Sequence, residues 1–269
     1  MDKKFSSDMH SYTEKIGDFL PTDAHHIIKH RYLVAEFLSK DKKVLEVGVG
    51  QEYGMQTIAK SASQYVGIEY SEENVLYLNQ VQSNYKIIHG DAHAMPFSNS
   101  EFEIVNALAM IYYLELKKFL SEVKRILVPE GCLFFCTSNK DSPGFTKPPF
   151  TKNYYSIPDL NKILEEQGFE ADFYGSFARY KNNESKIFIH FKVFIKNIFK
   201  SIIKILPFGR KLWTIMRNKH LGGSKKLPHH IKDIVMNYTW KDDFHALEKN
   251  IINNQYRVIY CIAKLKNKK

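Results

Sequence analysis

A short run, VLEVGVGQEYG at residues 44–54, places an acidic side chain two positions before a pair of glycines. Gly48 and Gly50 have no side chain, so a ligand can approach the main chain and the turn can take unusual dihedral angles. A dinucleotide fingerprint would need glycine at position 53, where this chain has Tyr53. Glu46 would repel a pyrophosphate, but it can accept a hydrogen bond, directly or through water, from a cationic amino group. The run favours a zwitterionic amino-acid ligand, although a glycine pair alone is also compatible with a turn that binds nothing.

Two further carboxylates follow at the ends of apolar runs. Glu69 comes about 20 residues after the glycines, where a carboxylate can bind both hydroxyls of a ribose. Asp91, in HGDAHAMPF, is placed to accept a hydrogen bond from an adenine amino group. Taken alone, an aspartate at a strand end is more often a turn or capping residue.

Hydrophobic periodicity predicts the elements that must position these residues. Strands are predicted at 42–49, 65–71, 86–92, 102–111, 131–139, 169–177 and 255–266. Helices are predicted at 54–62, 71–82, 116–127 and 157–168, with Ser71 as an N-cap, Pro129 as a stop and Gly168 at a C-terminal cap. Strands that alternate with helices predict a doubly wound α/β fold, whose ligands bind at the carboxyl ends of the strands.

These residues, in this order and at strand ends, form the pattern acid-x-Gly-x-Gly, strand-end acid, Gly-Asp-Ala-x-x-x-Pro-Phe. The pattern resembles that of the class I S-adenosylmethionine-dependent methyltransferases, over about residues 28–177 and in the final strand. Further matches are FEIV (102–105), EVKRILVPEG (122–131) and SIPDLNKILEEQGFE (156–170). Within the class, residues 30–54 are similar to a bacterial subgroup often encoded with cell-surface polysaccharide genes, and Glu52 replaces that subgroup's middle glycine.

The resemblance implies a seven-stranded Rossmann-like sheet and S-adenosylmethionine as the cofactor. It assigns Glu46, Gly48 and Gly50 to the methionine end of the cofactor and Glu69 to the ribose. The adenine is assigned to the Asp91 side chain and the Ala92 backbone. It also suggests that Tyr12 and residues 25–32 close over the site.

Methyl transfer is an in-line displacement, so most of the catalysis should come from positioning, and a hydroxyl acceptor also needs a general base. The subgroup usually has a Glu and then a Glu-His pair after the fourth strand, where this chain has Ala109 and Tyr112-Tyr113. His30 and Tyr113 are the leading candidates for the base. Each also has a structural interpretation, as a core histidine and as an aromatic ring that packs in the pocket floor. The alternative histidines are His25, His26 and His93.

Charge is distributed unevenly along the chain. Residues 1–177 carry a net charge of −6 and residues 178–269 a net charge of +16, which suggests an anionic surface as partner of the basic part. Nucleic acid is the weaker alternative, because the chain reads NALAMIYY where amino-methylating DNA enzymes have Asn/Asp-Pro-Pro-aromatic, and because no Pro-Cys is present. No His/Cys cluster has metal-ligand spacing, so no metal is predicted.

About 75 residues separate the sixth and seventh predicted strands. The predicted organisation is therefore a cofactor-binding core at 1–177, a basic helical insertion at 178–250, and the final strand with a basic tail at 251–269. Within the insertion, residues 187–206 contain 13 apolar residues out of 20, with lysines at every fourth position: Lys192, Lys196, Lys200 and Lys204. Such a stripe suits a helix that lies in the headgroup plane of a membrane, or one that packs on the core as a lid.

Together these features predict a methyltransferase that acts by O-methylation on a small-molecule, sugar or lipid-linked glycan precursor. The alternatives are a cofactor-binding protein without catalysis and a nucleic-acid methyltransferase. Three cysteines without a CxxC pair, no apolar N-terminal run and no run of about 18 apolar residues predict a cytoplasmic protein, peripheral to the inner face of the membrane if the insertion binds lipid.

The lysine stripe yields a testable prediction. Each lysine near an anionic bilayer contributes about 1 kcal/mol, so co-sedimentation with vesicles should rise with anionic lipid and fall with salt. Replacing Lys196 and Lys200 by Glu should weaken it. A wild-type protein that ignores anionic vesicles at low salt would instead support a packed lid, and Phe191→Ser should then lower stability in solution.

Overall fold

The computed structural model describes residues 19–50, 54–82, 84–148, 150–179, 224–228 and 230–266 of the chain. Three subjects of the sequence analysis lie outside these residues: Tyr12, the 187–206 segment, and residues 51–53 of the glycine turn. No helix of the described part is long and apolar enough to cross a membrane.

The described residues form ten strands and five α-helices. The strands are β1 (Phe19–Pro21), β2 (Lys43–Val47), β3 (Gln64–Glu69), β4 (Lys86–His89), β5 (Phe102–Leu108), β6 (Leu127–Ser138), β7 (Phe169–Ala178), β8 (Ser224–Lys226), β9 (His245–Leu247) and β10 (Tyr256–Leu265). The helices are α1 (Thr22–Ser39), α2 (Met55–Ser61), α3 (Glu72–Val81), α4 (Leu116–Ile126) and α5 (Ile157–Glu166). Short 3-10 turns occupy Ile111–Tyr113, Ile231–Asp233 and Trp240–Asp243.

The central sheet has the strand order β4-β3-β2-β5-β6-β10-β7-β9. Strands β2 to β6 pair in parallel, and β10 runs antiparallel between β6 and β7. This confirms the predicted doubly wound α/β sheet with an antiparallel last strand, and all seven predicted strands belong to it. The short strand β9, which pairs with the outer side of β7, was not predicted.

Helices cover both faces of this sheet because each carries an apolar stripe. The buried residues of α4 recur at spacings of three and four: Leu116, Phe119, Leu120, Val123 and Ile126. Helices α4 and α5 pack on one face, and α1, α2 and α3 pack on the other. In a doubly wound sheet ligands bind at the carboxyl ends of the parallel strands, so that edge is where a ligand site is expected.

The helix ends agree with two of the predicted signals and differ from a third. The Ser71 hydroxyl accepts a hydrogen bond from the Asn74 amide at 3.3 Å, which confirms the N-cap of α3. Gly168 follows α5 with φ of 86°, as a helix-ending glycine should. Helix α4, however, ends at Ile126, and Pro129 lies within β6 rather than stopping the helix.

The described end of the predicted insertion is part of the core. Strand β8 pairs with β1, and the segment 231–244 runs along α1, where the Lys29 ammonium donates to the Ile234 carbonyl at 2.6 Å. Ile231 and Ile234 are buried there. Residues 224–247 therefore pack on the sheet and on α1 by strands and 3-10 turns, without an α-helix in the described part.

Both ends of the segment between β7 and β8 lie at the carboxyl edge of the sheet. Strand β7 ends there, beside the start of β10, since the Arg179 amide donates to the Gln255 carbonyl at 2.8 Å. Strand β8 pairs with β1 just before α1, whose Asp23 carboxylate lies 2.6 Å from the Arg257 guanidinium at that same edge.

His30 is a structural histidine, which corrects its prediction as a general base. Its ring is fully buried, its Nε2 lies 3.1 Å from the Trp240 carbonyl, and its Nδ1 lies 2.8 Å from the Tyr260 hydroxyl. A carbonyl only accepts, so Nε2 carries the proton and Nδ1 accepts from Tyr260. Burial lowers the pKa of His30 to about 4, so the ring stays neutral. Both nitrogens are engaged, and neither can take a proton from an acceptor.

This role predicts the effect of His30→Phe. The change would leave the Tyr260 hydroxyl and the Trp240 carbonyl without their partner, which should lower the free energy of unfolding by about 2–5 kcal/mol. Urea denaturation measures it. His26→Phe is the matched control, because His26 lies on the same helix and makes an exposed contact with the Val235 carbonyl. An undiminished stability of His30→Phe, with lost turnover, would restore His30 as a candidate base.

Candidate active site

The glycine turn after β2 presents bare backbone at the carboxyl edge. Gly48 and Gly50 have φ of 73° and 68°, a region that favours glycine. The Gly48 amide donates to the Ile68 carbonyl at 2.8 Å, which ties the turn to β3. A Cβ added at Gly48 would lie 3.3 Å from the Met110 side chain, which follows β5. The turn is therefore enclosed by the ends of two neighbouring strands.

Glu46 lies on β2 directly before this turn, buried on the α1 face with 1% of its surface exposed. The Tyr65 hydroxyl donates to Oε2 at 2.6 Å, while Oε1 has no hydrogen-bond partner among the described residues. Burial raises the pKa of Glu46 to about 7, although hydrogen bonds from Tyr65 and Tyr32 and the charge of Arg31 oppose the rise. A buried acceptor without a donor is uncommon, and it suits a ligand that brings a cation.

Glu69, at the end of β3, holds the glycine turn as well as facing the edge. Its Oε2 accepts from the Gly50 amide and its Oε1 from the Ser71 amide, each at 2.9 Å. Burial raises the pKa of Glu69, and these backbone donors partly offset the rise. The link to Gly50 was not predicted, because the strand-end position alone gives no sign of which backbone donors will reach the carboxylate.

Asp91 follows β4 and is bonded to His93. The His93 amide and ring Nδ1 contact Asp91 Oδ1 at 2.9 and 2.7 Å. The Ala94 amide donates to the Asp91 carbonyl at 3.0 Å, closing the tight turn that contains the buried Ala92. The structure thus brings Glu46, Gly48, Gly50, Glu69, Asp91 and Ala92 to the ends of three adjacent strands.

Four aromatic side chains lie at the same edge, beyond β5 and β6. Tyr112 contacts Tyr113, with ring centroids 4.7 Å apart, and stacks on Tyr154 at 4.9 Å, which in turn contacts Phe145 at 4.8 Å. We call this the aromatic cluster. Burial raises the pKa of Tyr154 to about 12, so its hydroxyl acts as a hydrogen-bond donor. Tyr113 of this cluster comes three residues after Met110, whose side chain lies beside the glycine turn.

One acidic residue at this edge was missed by the sequence analysis. Asp141 follows β6, and its Oδ2, together with the hydroxyl of Ser142, is buried without a hydrogen-bond partner among the described residues. Burial raises the pKa of Asp141. The signal was present in the sequence, because Asp141 comes two residues after the fifth predicted strand, at the same edge as Asp91 at the end of the third.

The site residues fit S-adenosylmethionine. Its amino-acid end carries an ammonium group, which suits the unpartnered oxygen of Glu46, and its methionine chain can lie against the bare backbone of Gly48 and Gly50. Its ribose can share Glu69, and its adenine amino group can donate to Asp91. No group of three or more His, Cys, Asp or Glu side chains in the described part of the chain could hold a metal ion.

The buried Glu46 predicts a pH dependence of stability. In the unfolded chain this carboxyl ionises near its ordinary pKa of about 4.5, but in the folded protein it keeps its proton up to about 7. The unfolded state therefore binds fewer protons between these values, so stability should fall by about 3 kcal/mol as the pH rises from 4.5 through 7.

Urea denaturation between pH 4.5 and 8 measures this fall. Glu46→Gln should remove it, whereas Glu72→Gln, at an exposed position of α3, should keep it. Identical pH profiles of the wild type and Glu46→Gln would contradict a raised pKa at Glu46.

Comparison with known proteins agrees with this site. Residues 45–135 match the family described as methyltransferase domain. A protein of Mycolicibacterium smegmatis named a probable S-adenosylmethionine-dependent methyltransferase is 31% identical over 136 residues, which are 49% of this chain and 53% of that protein. The ubiquinone biosynthesis O-methyltransferase of an Azoarcus species is 23% identical over 146 residues, 52% of this chain and 62% of that protein.

A similar solved structure is that of an S-adenosylmethionine-dependent methyltransferase from Archaeoglobus fulgidus, with a TM-score of 0.53 and 15% identity over 89% of this chain and 94% of that one. This likeness shows the fold. The chain spans about half the length of the first curated relatives that it matches. The family match over residues 45–135, the fold and the row of strand-end residues agree, so the chain carries a methyltransferase domain of the class I S-adenosylmethionine-dependent type.

Proposed function

We propose that the chain binds S-adenosylmethionine at the glycine turn and transfers its methyl group to a hydroxyl of a small-molecule, sugar or lipid-linked glycan acceptor. The observation that carries the proposal is the unpartnered Oε1 of Glu46, fully buried beside two glycines of positive φ. A cationic amino group at this position satisfies that oxygen and favours the ionised carboxylate.

The chain's own residues act mainly by holding the reactants. The cofactor supplies an electrophilic methyl group when bound. Glu46 orients the amino-acid end, Glu69 the ribose, and Asp91 with the Ala92 backbone the adenine. Because Glu69 is also bonded to the Gly50 amide, the turn that meets the methionine end is fixed by the residue that meets the ribose. Such fixed geometry is the main source of rate in a displacement of this kind.

On the acceptor side the proposal relies on the aromatic cluster. Its half-buried rings offer an apolar surface with a polar rim, which suits a sugar or another ring that carries hydroxyl groups. Two residues can take the hydroxyl proton. Tyr113 follows the strand end that contacts the glycine turn, and Asp141 has a buried oxygen without a partner and a raised pKa, which brings its basicity closer to neutral pH.

Transfer to oxygen is supported by the name of the Azoarcus relative, an O-methyltransferase. A sugar or glycan acceptor rests on the similarity of residues 30–54 to the subgroup found with polysaccharide genes. An anionic membrane surface as a further partner rests on the sequence of residues 187–206 alone, which lie outside the described part of the chain.

The cofactor part is tested by calorimetry with S-adenosylhomocysteine, the demethylated product, and with NAD as the comparison. We expect binding of the first and none of the second. Glu69→Ala should weaken binding by about 1.5–3 kcal/mol, because hydrogen bonds to a charged group are lost. Glu72→Ala, at the exposed start of α3, is the matched control and should bind normally. Binding of NAD alone would overturn the proposal.

The transfer itself is tested by turnover of labelled cofactor against a panel of glycan and lipid-linked precursors. Turnover that falls in Asp141→Asn but not in Tyr113→Phe would identify Asp141 as the base, and the opposite result would identify Tyr113. Tight binding of the cofactor without turnover of any acceptor would favour the alternative of a cofactor-binding protein without catalysis. That alternative draws on Ala109, Tyr112 and Tyr113 at the positions of the subgroup's acidic and histidine residues.

A further inference from the structure

His93 connects the end of β4 to the start of α4. Its backbone amide and its ring Nδ1 both contact Asp91 Oδ1, at 2.9 and 2.7 Å. On its other side the Glu115 backbone amide donates to its Nε2 at 2.9 Å. The ring is largely enclosed, with 14% of the side chain exposed.

These partners determine how the ring is protonated. A backbone N–H can only donate, so Nε2 must be the accepting nitrogen and Nδ1 must carry the proton. That proton then points to the Asp91 carboxylate. His93 is thus held with its proton on Nδ1, and both ring nitrogens are occupied.

The arrangement assigns different tasks to the two oxygens of Asp91. Both bonds from His93 fall on Oδ1, and no donor among the described residues contacts Oδ2. The Asp91 side chain is 40% exposed. Because two hydrogen bonds hold Oδ1 at a fixed backbone turn, the Asp91 carboxylate cannot rotate freely. Its Oδ2 therefore keeps a defined direction.

The other end of the contact reaches the acceptor side of the site. Glu115 comes directly after the turn Ile111–Tyr113 and its cap residue Leu114, and it is the N-cap residue of α4. Its carboxylate lies 2.7 Å from the Lys118 ammonium and 3.8 Å from that of Lys152, in the loop that carries Tyr154. His93 therefore joins the strand end assigned to the adenine with the segment that carries the aromatic cluster.

We propose that His93 is a positioning residue for adenine recognition: its Nδ1–H fixes Asp91 so that the remaining carboxylate oxygen accepts from the adenine amino group, and its Nε2 anchors that pair to the start of α4. The inference rests on the proposed function, since it needs a cofactor that contains adenine. It adds a specificity residue that acts through Asp91, without touching the cofactor itself.

The test compares two ligands by calorimetry: S-adenosylhomocysteine, and its analogue with hydrogen in place of the adenine amino group. The wild type should prefer the first, and the ratio of the two dissociation constants measures recognition of the amino group. His93→Ala should reduce this preference about tenfold, because Asp91 loses the hydrogen bond from the ring and keeps only the one from the backbone amide. Thermal unfolding of each variant reports any separate effect on stability.

Two substitutions separate the functions of the two ring nitrogens. The amide of His93→Asn can place an N–H near the position of Nδ1, so it should restore most of the preference for the amino group. The longer side chain of His93→Gln reaches the position of Nε2 instead, so it should restore stability more than preference. In an Asp91→Ala background, none of the His93 variants should change the preference further, because the residue through which they act is gone.

Each outcome is decisive. A wild-type preference in His93→Ala, or equal losses of both ligands that simply follow thermal stability, would overturn the positioning role and leave the proposed function intact. Equal preference in the Asn and Gln variants would also overturn it. If the wild type binds neither ligand, the proposed function fails, and this inference fails with it.

Discussion

A carboxyl group must be kept out of water at the end of β2, and much of the structure serves that constraint. An ionised carboxylate without partners is costly to bury, and the surroundings of Glu46 favour its charge from both sides: the Tyr65 hydroxyl donates from the neighbouring strand, and Tyr32 and the charge of Arg31 act from α1. Helix α1 must therefore sit tightly on the sheet. The Tyr32 ring of α1 packs directly on Gly54, where an added Cβ would fall 2.2 Å from the ring, so only glycine fits.

Helix α1 in turn depends on residues from far along the chain. His30 is held between Tyr260 of β10 and the carbonyl of Trp240, and it is surrounded by the rings of Phe177 and Phe244. Glu46 in β2 and the aromatic packing around Tyr260 in β10 thus belong to one connected arrangement. Glu69 and Asp91 each combine two roles locally, because the carboxylate that faces the ligand edge also accepts a hydrogen bond from a backbone turn.

The sequence predicted the fold well, and it placed the proposed cofactor residues at strand ends, where the structure has them, because both depend on local patterns. Strand ends can be located from apolar runs, and an acid at such an end reaches the ligand edge whatever surrounds it. The role of His30 could not be predicted in this way. Its helix position gave no hint of Tyr260 or Trp240, which are adjacent only in the folded chain. Strand β9, with three residues, is too short to show an alternation of apolar and polar residues. Pro129 gave a wrong helix end because it lies in β6, whose pairing with β5 has a register shift that tolerates a proline.

The place of β10 has a consequence for the order in which the molecule is made. This strand follows all the others in the chain, yet it lies inside the sheet, hydrogen-bonded to β6 on one side and to β7 on the other. During synthesis, β7 can pair only with the three-residue β9 until β10 emerges, and α1 lacks the Tyr260 hydroxyl. A growing chain can assemble β2 to β6 early, since their pairings join nearby segments, but it exposes two unpaired strand edges until the end. Loss of β10 would therefore separate β6 from β7 in the interior of the sheet, whereas loss of an edge strand would only make the sheet narrower.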